Sequence, residues 1–254
     1  MMDIIRRVFN TLAALLLIEG FLFSPPAHAM HITEGILPLP WAILWSAAAL
    51  PFVAYGLYRL KKLSVADLSL KPLVGLIAAV VFILSCMPIP VPIAGTTSHP
   101  CGTGISGILL GPAVSILIAA VVLLMQALFL AHGGLTTWGA NILSMGVGGS
   151  IAGYFTFMTL RSIRIPIVAA AFLSGMCADW ATYAITAAEL ASGIRGSEPF
   201  VPLFLKILIA FMPTQLPLGI LEGAMTAGIV VLLSKRRPDI LIKMGLMKPE
   251  EVRG

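Results

Sequence analysis

From Trp41 to Leu233 the chain is a series of apolar runs interrupted by short groups of Lys and Arg. A run of roughly 20 predominantly apolar residues is what a helix needs to cross the ~30 Å hydrocarbon core of a bilayer. Helix is the form such runs must take, because a spanning segment has to satisfy its own backbone hydrogen bonds. The 254 residues are 59% hydrophobic and 11% charged, with a mean hydropathy of +1.01. A soluble domain carries about 25% charged residues, so water is not the main solvent of this chain.

The positions of the basic residues orient the runs. Trp41 to Tyr58 is followed at once by Arg59, Lys61 and Lys62, so the first span ends inside. Pro72 to Met87 returns outward into a loop rich in Pro, Gly and Thr that contains His99. Ile105 to Leu110 is too short to span alone and ends at Gly111-Pro112; it reads as a half-helix or a tilted third span. Ala113 to Ala131 then runs outward, Asn141 to Leu160 inward, Pro166 to Ala188 outward and Phe200 to Leu233 inward. With the short third segment counted, Arg59 to Lys62, Arg161 with Arg164, and Lys235 to Arg237 all fall on one side. Without it, every later loop inverts. The expected fold is therefore an all-α polytopic membrane bundle of about seven spans, N-terminus outside and C-terminus inside. Gly146-Val147-Gly148-Gly149 and the pair Ala42 and Ser46 allow close helix approach.

A net charge of +5 does not imply nucleic acid, because the Lys and Arg residues are dispersed between spans and form no basic surface. Cys86, Cys101 and Cys177 are an odd number without zinc-site spacing, and no disulfide is expected.

Residues 1–29 have the parts of a cleavable signal peptide: Arg6 and Arg7, an apolar run from Val8 to Phe23, and Ala27-His28-Ala29 as an A-x-A end. Cleavage after Ala29 would start a single membrane domain, residues 30–254, with Met30-His31 and a free amine facing outside; the alternative, which Glu19 inside the apolar run keeps open, is an uncleaved first helix.

That terminus has specific chemistry. A histidine at the second position of a free N-terminus can bind a metal through the amine, its own deprotonated amide and its imidazole Nδ1, closing fused chelate rings. A planar nitrogen array suits Ni(II), Cu(II) and low-spin Co(II), whereas Zn(II) prefers a tetrahedron and Mg(II) prefers oxygen. His99 in the facing outer loop is the best candidate for a fourth nitrogen. Glu34, Asn141 and His132 are candidates for the surrounding shell that orients an imidazole. Asp179 and Glu222 lie within spans, where an ionisable group is costly and suggests function.

Four segments in order carry a resemblance: Met30-His31-Ile32-Thr33-Glu34-Gly35-Ile36-Leu37-Pro38; Gly95-Thr96-Thr97-Ser98-His99-Pro100 with Gly102-Thr103-Gly104; Ala131-His132-Gly133-Gly134-Leu135-Thr136-Thr137 with Gly139-Ala140-Asn141; and Pro213-Thr214-Gln215-Leu216-Pro217 with Glu222-Gly223. Together they resemble the CbiM/NikM substrate-capture proteins of energy-coupling-factor transporters for cobalt and nickel, across essentially the whole mature chain. The resemblance implies that Met30, His31 and His99 bind the ion. It implies as partners a transmembrane coupling subunit, two cytoplasmic ATPase subunits and often a small accessory membrane subunit, with lipid around them and no nucleic acid. No cofactor is implied; Co2+ or Ni2+ is the transported substrate. No G-x-x-x-x-G-K-[ST] pattern occurs in the chain, so the resemblance places ATP hydrolysis in the partners and makes this chain a non-enzymatic subunit. The motifs look more like the cobalt branch, which makes Co2+ for cobalamin synthesis the expected cargo, with Ni2+ as the alternative, at the cell inner membrane.

Two other readings stay open on the residues alone. An intramembrane metal-dependent hydrolase would use His31, His99 and Glu222, with an open metal position and a general base. A vitamin-capture subunit would need an apolar pocket with a few polar groups and no free terminus.

Overall fold

The computed structural model describes residues 31–87, 89–91 and 96–252. The expected leader and Met30 lie outside the described residues. The protein is an all-α polytopic membrane bundle built of α1 (Leu39–Ala66), α2 (Leu70–Ser85), α3 (Thr103–Leu110), α4 (Pro112–Phe129), α5 (Trp138–Ser162), α6 (Ile167–Ile194), α7 (Phe200–Arg236) and a short α8 (Pro238–Lys243). Five of these, α1 and α4 to α7, are long and apolar enough to cross a membrane. The 16-residue α2 and the eight-residue α3 occupy the places expected for the second and third spans. A small antiparallel hairpin, β1 (Ile89–Val91) with β2 (Thr96–Ser98), precedes His99 and sets Ile89 opposite Ser98.

Proline marks the helix starts. Pro38, Pro166 and Pro199 precede α1, α6 and α7, and Pro112 occupies the first turn of α4, where its missing N–H costs no hydrogen bond. Within α5, residues Ile142–Gly149 widen into a π-helical segment, a form that recurs at functional sites. Large apolar side chains such as Leu44, Val65, Phe129, Phe155 and Ile209 point outward, as a lipid-facing surface requires.

Small residues bring the helices together. An added methyl group at Gly139 would overlap the backbone of Ser46, so α5 begins directly against α1. At Gly104 it would come 2.8 Å from Gly175 Cα, which sets α3 against α6. Ser115 Oγ lies 2.6 Å from Ser106 Oγ and 2.7 Å from Ser150 Oγ, a hydroxyl chain that joins α3, α4 and α5.

The eight residues of α3 rise about 12 Å, less than half of a bilayer core. Inward of His99, residues 100–102 supply further depth: all three are buried and non-helical. Irregular backbone is tolerated at that depth only inside protein, and here Glu222 on α7 receives the Cys101 N–H at 2.6 Å and the Gly102 N–H at 2.9 Å. The carboxylate thereby faces the N-terminus of α3, where negative charge is favoured. The third crossing is thus a buried loop continued by a half-helix. At its far end, Gly111, Arg59, Met158 and Lys243 line one cavity, and Lys243 pairs with Asp67 in the turn between α1 and α2. The basic ends of α1, α5 and α7 therefore gather at the end of the bundle opposite the histidines.

Candidate metal centre

Three segments far apart in sequence meet at the other end. His31 precedes α1, His99 follows β2, and His132 follows α4. Their ring centroids are 4.7 Å apart for His31 and His99, 4.9 Å for His31 and His132, and 4.9 Å for His99 and His132. One nitrogen from each lies within 4.8 Å of the others. His31 is 7% and His99 2% exposed, while His132 closes the cluster half-buried.

The hydrogen bonds around the cluster select which nitrogens carry lone pairs. Gln126 on α4 donates its Nε2 to Ser85 O (3.1 Å) and Ser85 Oγ (2.9 Å), which turns its Oε1 toward His31 Nε2 at 3.1 Å. An oxygen acceptor there makes Nε2 the protonated nitrogen of His31. Nδ1 is left with its lone pair, and it is the ring nitrogen that can close a chelate with the residue's own backbone amide. His99 is set the other way: its Nδ1 donates to Pro100 O at 3.1 Å, which frees Nε2 as the acceptor. A backbone carbonyl in this role is the usual orienting partner of a metal-binding imidazole. His132 donates from Nε2 to His99 Nε2 at 2.9 Å, roughly the spacing of two adjacent nitrogens each about 2.0 Å from one ion.

Burial keeps these imidazoles neutral. It lowers His99 to about 4, and together with the neighbouring His99 it lowers His132 to about 3. His31 falls well below its ordinary value through burial first, then through His99 and His132. Neutral imidazole is the metal-binding form.

The remaining polar residues fix the segment that carries His31. Asn141 receives the Ile32 N–H at 2.9 Å and donates to Ile32 O at 3.1 Å, and Thr137 Oγ1 donates to the same oxygen at 2.5 Å. Asn141, expected to orient an imidazole, instead grips the backbone of the next residue. Glu34, expected in the same role, is exposed; its carboxylate receives the Thr136 N–H at 3.1 Å, and the Thr136 hydroxyl first, with the backbone N–H groups of Thr136 and Leu135, holds that carboxyl below its usual range. The reason is geometric, since Glu34 lies in the turn that leads out of the cluster into α1. His132, expected behind the site, stands within it. Met30 lies outside the described residues. Asp179 and Glu222 sit apart from the histidines, beside Cys101.

Gln126 is the residue that sequence reasoning missed. A single amide in the apolar run from Val121 to Leu130 was the available signal, because a buried polar group in a span needs a partner.

Comparison with known proteins agrees with this architecture. The chain is 64% identical to the cobalt transport protein CbiM of Geobacter sulfurreducens over 242 residues, covering 95% of this chain and 70% of that protein. It is 53% identical to the cobalt transport protein CbiM of Sorangium cellulosum over 219 residues, covering 86% of this chain and 97% of the relative. The fold matches the crystal structure of a transition metal transporter with a TM-score of 0.70 at 24% identity, over 86% of this chain and 100% of the other. Residues 31–240 match the family described as CbiM, cobalt uptake substrate-specific transmembrane region, and the chain is therefore a multi-pass membrane protein belonging to the CbiM family.

Proposed function

We propose that this chain captures Co2+ at the outer face of the cell inner membrane as the substrate-binding subunit of an energy-coupling-factor transporter. The ion is held by the amine of Met30, the deprotonated amide and Nδ1 of His31, and Nε2 of His99, with His132 beside it. The observation that carries the reading is the pairing of hydrogen bonds that leaves lone pairs on His31 Nδ1 and His99 Nε2, at two buried rings 4.7 Å apart. Cleavage after Ala29 creates the amine ligand. A transmembrane coupling subunit, two cytoplasmic ATPases and a small accessory membrane subunit supply the energy, and the cobalt serves cobalamin synthesis. Ni2+ fits the same nitrogen set and is the alternative cargo.

Three imidazoles with an open position are also a catalytic zinc donor set, which is the observation favouring a hydrolase. That reading needs a general base within reach of bound water. Among the described residues the candidate carboxylate, Glu222, is instead engaged by Cys101 and Gly102.

N-terminal sequencing of the purified protein, followed by Co2+ and Ni2+ titration of wild type and His99→Ala, tests the proposal. It expects Met30 as the first residue and capture greatly weakened in the variant. Wild-type affinity in His99→Ala would remove His99 from the site.

A further inference from the structure

Inward of the histidines, the same buried loop carries a second convergence of donors. Cys101, two residues beyond His99, meets Asp179 from α6 and Glu222 from α7, with one ligand atom from each all within 4.8 Å of one another. These residues are 1%, 0% and 1% exposed. Asp179 lies about four helical turns from the end of α6 that reaches the histidine end, so the cluster is deep in the bundle.

Its charges are unevenly answered. Glu222 receives two backbone N–H groups and faces the N-terminus of α3. Asp179 has no such backbone donors: it faces the Glu222 carboxyl within hydrogen-bond reach, Cys101 Sγ approaches its Oδ1 only at 3.9 Å, and among the described residues no donor reaches its Oδ2. The hydroxyl of Thr103, one residue past Gly102 and fully buried, is also without a partner. No Lys or Arg occurs in residues 99–110, 171–187 or 207–234, the stretches around the three donors. A buried carboxylate left unanswered costs several kcal/mol, so the second negative charge calls for a proton or a cation. A thiol beside two carboxylates selects the cation: such a mixed sulfur and oxygen set suits a divalent ion of borderline softness better than Mg2+ or Ca2+.

We propose that Cys101, Asp179 and Glu222 form a second site for a divalent transition-metal ion, one step inward of the histidine cluster on the same loop. Binding requires the thiolate, so entry of the ion releases the thiol proton. That the occupant is the ion captured by the histidines rests on the capture proposal; the existence of the site does not.

Optical titration of the purified, detergent-solubilised protein with Co2+ tests this. A cobalt–thiolate bond gives a near-ultraviolet charge-transfer band that an all-nitrogen site cannot produce. Wild type should take up a second equivalent with this band. Cys101→Ser should lose the band and that equivalent while retaining the first, and Asp179→Asn should weaken the second equivalent. His99→Ala should lose the first equivalent and keep the band. Saturation at one equivalent without the band overturns the site and means that a proton holds the carboxylates together. A band that survives Cys101→Ser also overturns it, by assigning the thiolate to Cys86 or Cys177. In either case the histidine capture proposal stands or falls separately on the first equivalent.

Discussion

Gln126 holds Nε2 of His31 at 3.1 Å with one end of its amide and is itself held by Ser85 with the other. The amide cannot reverse without losing both contacts to Ser85, so the orientation of the His31 ring is set by α4 and the end of α2 together. This tie connects helix packing to the choice of metal-binding nitrogen.

Removing it should loosen the ligand without removing one. Gln126→Leu is expected to lower Co2+ affinity roughly 10–100-fold, the usual cost of losing a group that orients a metal-binding imidazole. Calorimetric titration of the purified variant measures this. Unchanged affinity would mean that the Gln126 contact has no part in capture.

Asn141 acts one residue further along. Asn141→Ala leaves the Ile32 N–H without its acceptor at 3% exposure and takes away one donor to Ile32 O. A loss of about 1–3 kcal/mol is expected for the unsatisfied group. The stretch from His31 to Leu37 should become susceptible to proteolysis before the helices unfold, with Co2+ affinity falling in parallel. Limited proteolysis and thermal unfolding read the two effects.

Gly139 sits where α5 begins against Ser46 of α1, and Asn141 is two residues later. Gly139→Ala forces those backbones apart, and overpacking of this kind costs about 1–3 kcal/mol. The expected outcome is a lower unfolding temperature together with weaker Co2+ binding, because Asn141 moves with α5. Wild-type unfolding in this variant would contradict the close approach.

Acidity separates the ligands. The imidazoles are depressed by burial, His99 to about 4 and His132 to about 3. The unfolded chain therefore binds more protons than the folded one below about pH 6.5, and stability of the metal-free protein should fall as pH drops from there toward 4. Between pH 8 and 6.5 these histidines stay neutral, whereas an α-amine titrates at about 7.7–8.0 and the amide must lose its proton. Co2+ affinity is expected to fall across that upper window. A flat profile there would exclude the amine and the amide as ligands.

Much of this was legible in the sequence, for physical reasons that also mark where legibility ended. Apolar runs and basic boundaries located α1, α2 and α4 to α7, because lipid solvation acts on each segment separately. The half-helix α3 was visible from Gly111-Pro112, but the burial of residues 99–102 was not, since it depends on Glu222, 120 positions from Gly102. His31 and His99 stood out by chemical type and position. Gln126 did not, because its importance arises only when α2 and α4 place Ser85 and His31 on either side of it. Glu34 is close to His31 in sequence but turned away from it in space. Cys101 was uninformative among three scattered cysteines until α6 and α7 brought two carboxylates to it.

The claim that a processed N-terminus becomes part of the metal site is tested most directly by titrating Co2+ into protein whose leader is retained. A bulky substitution at Ala29 blocks the A-x-A end and leaves Met30 in a peptide bond, without an amine to donate. The uncleaved protein, inserted and folded, should bind Co2+ far more weakly than the protein beginning at Met30. Equal affinity in the two forms would contradict the account.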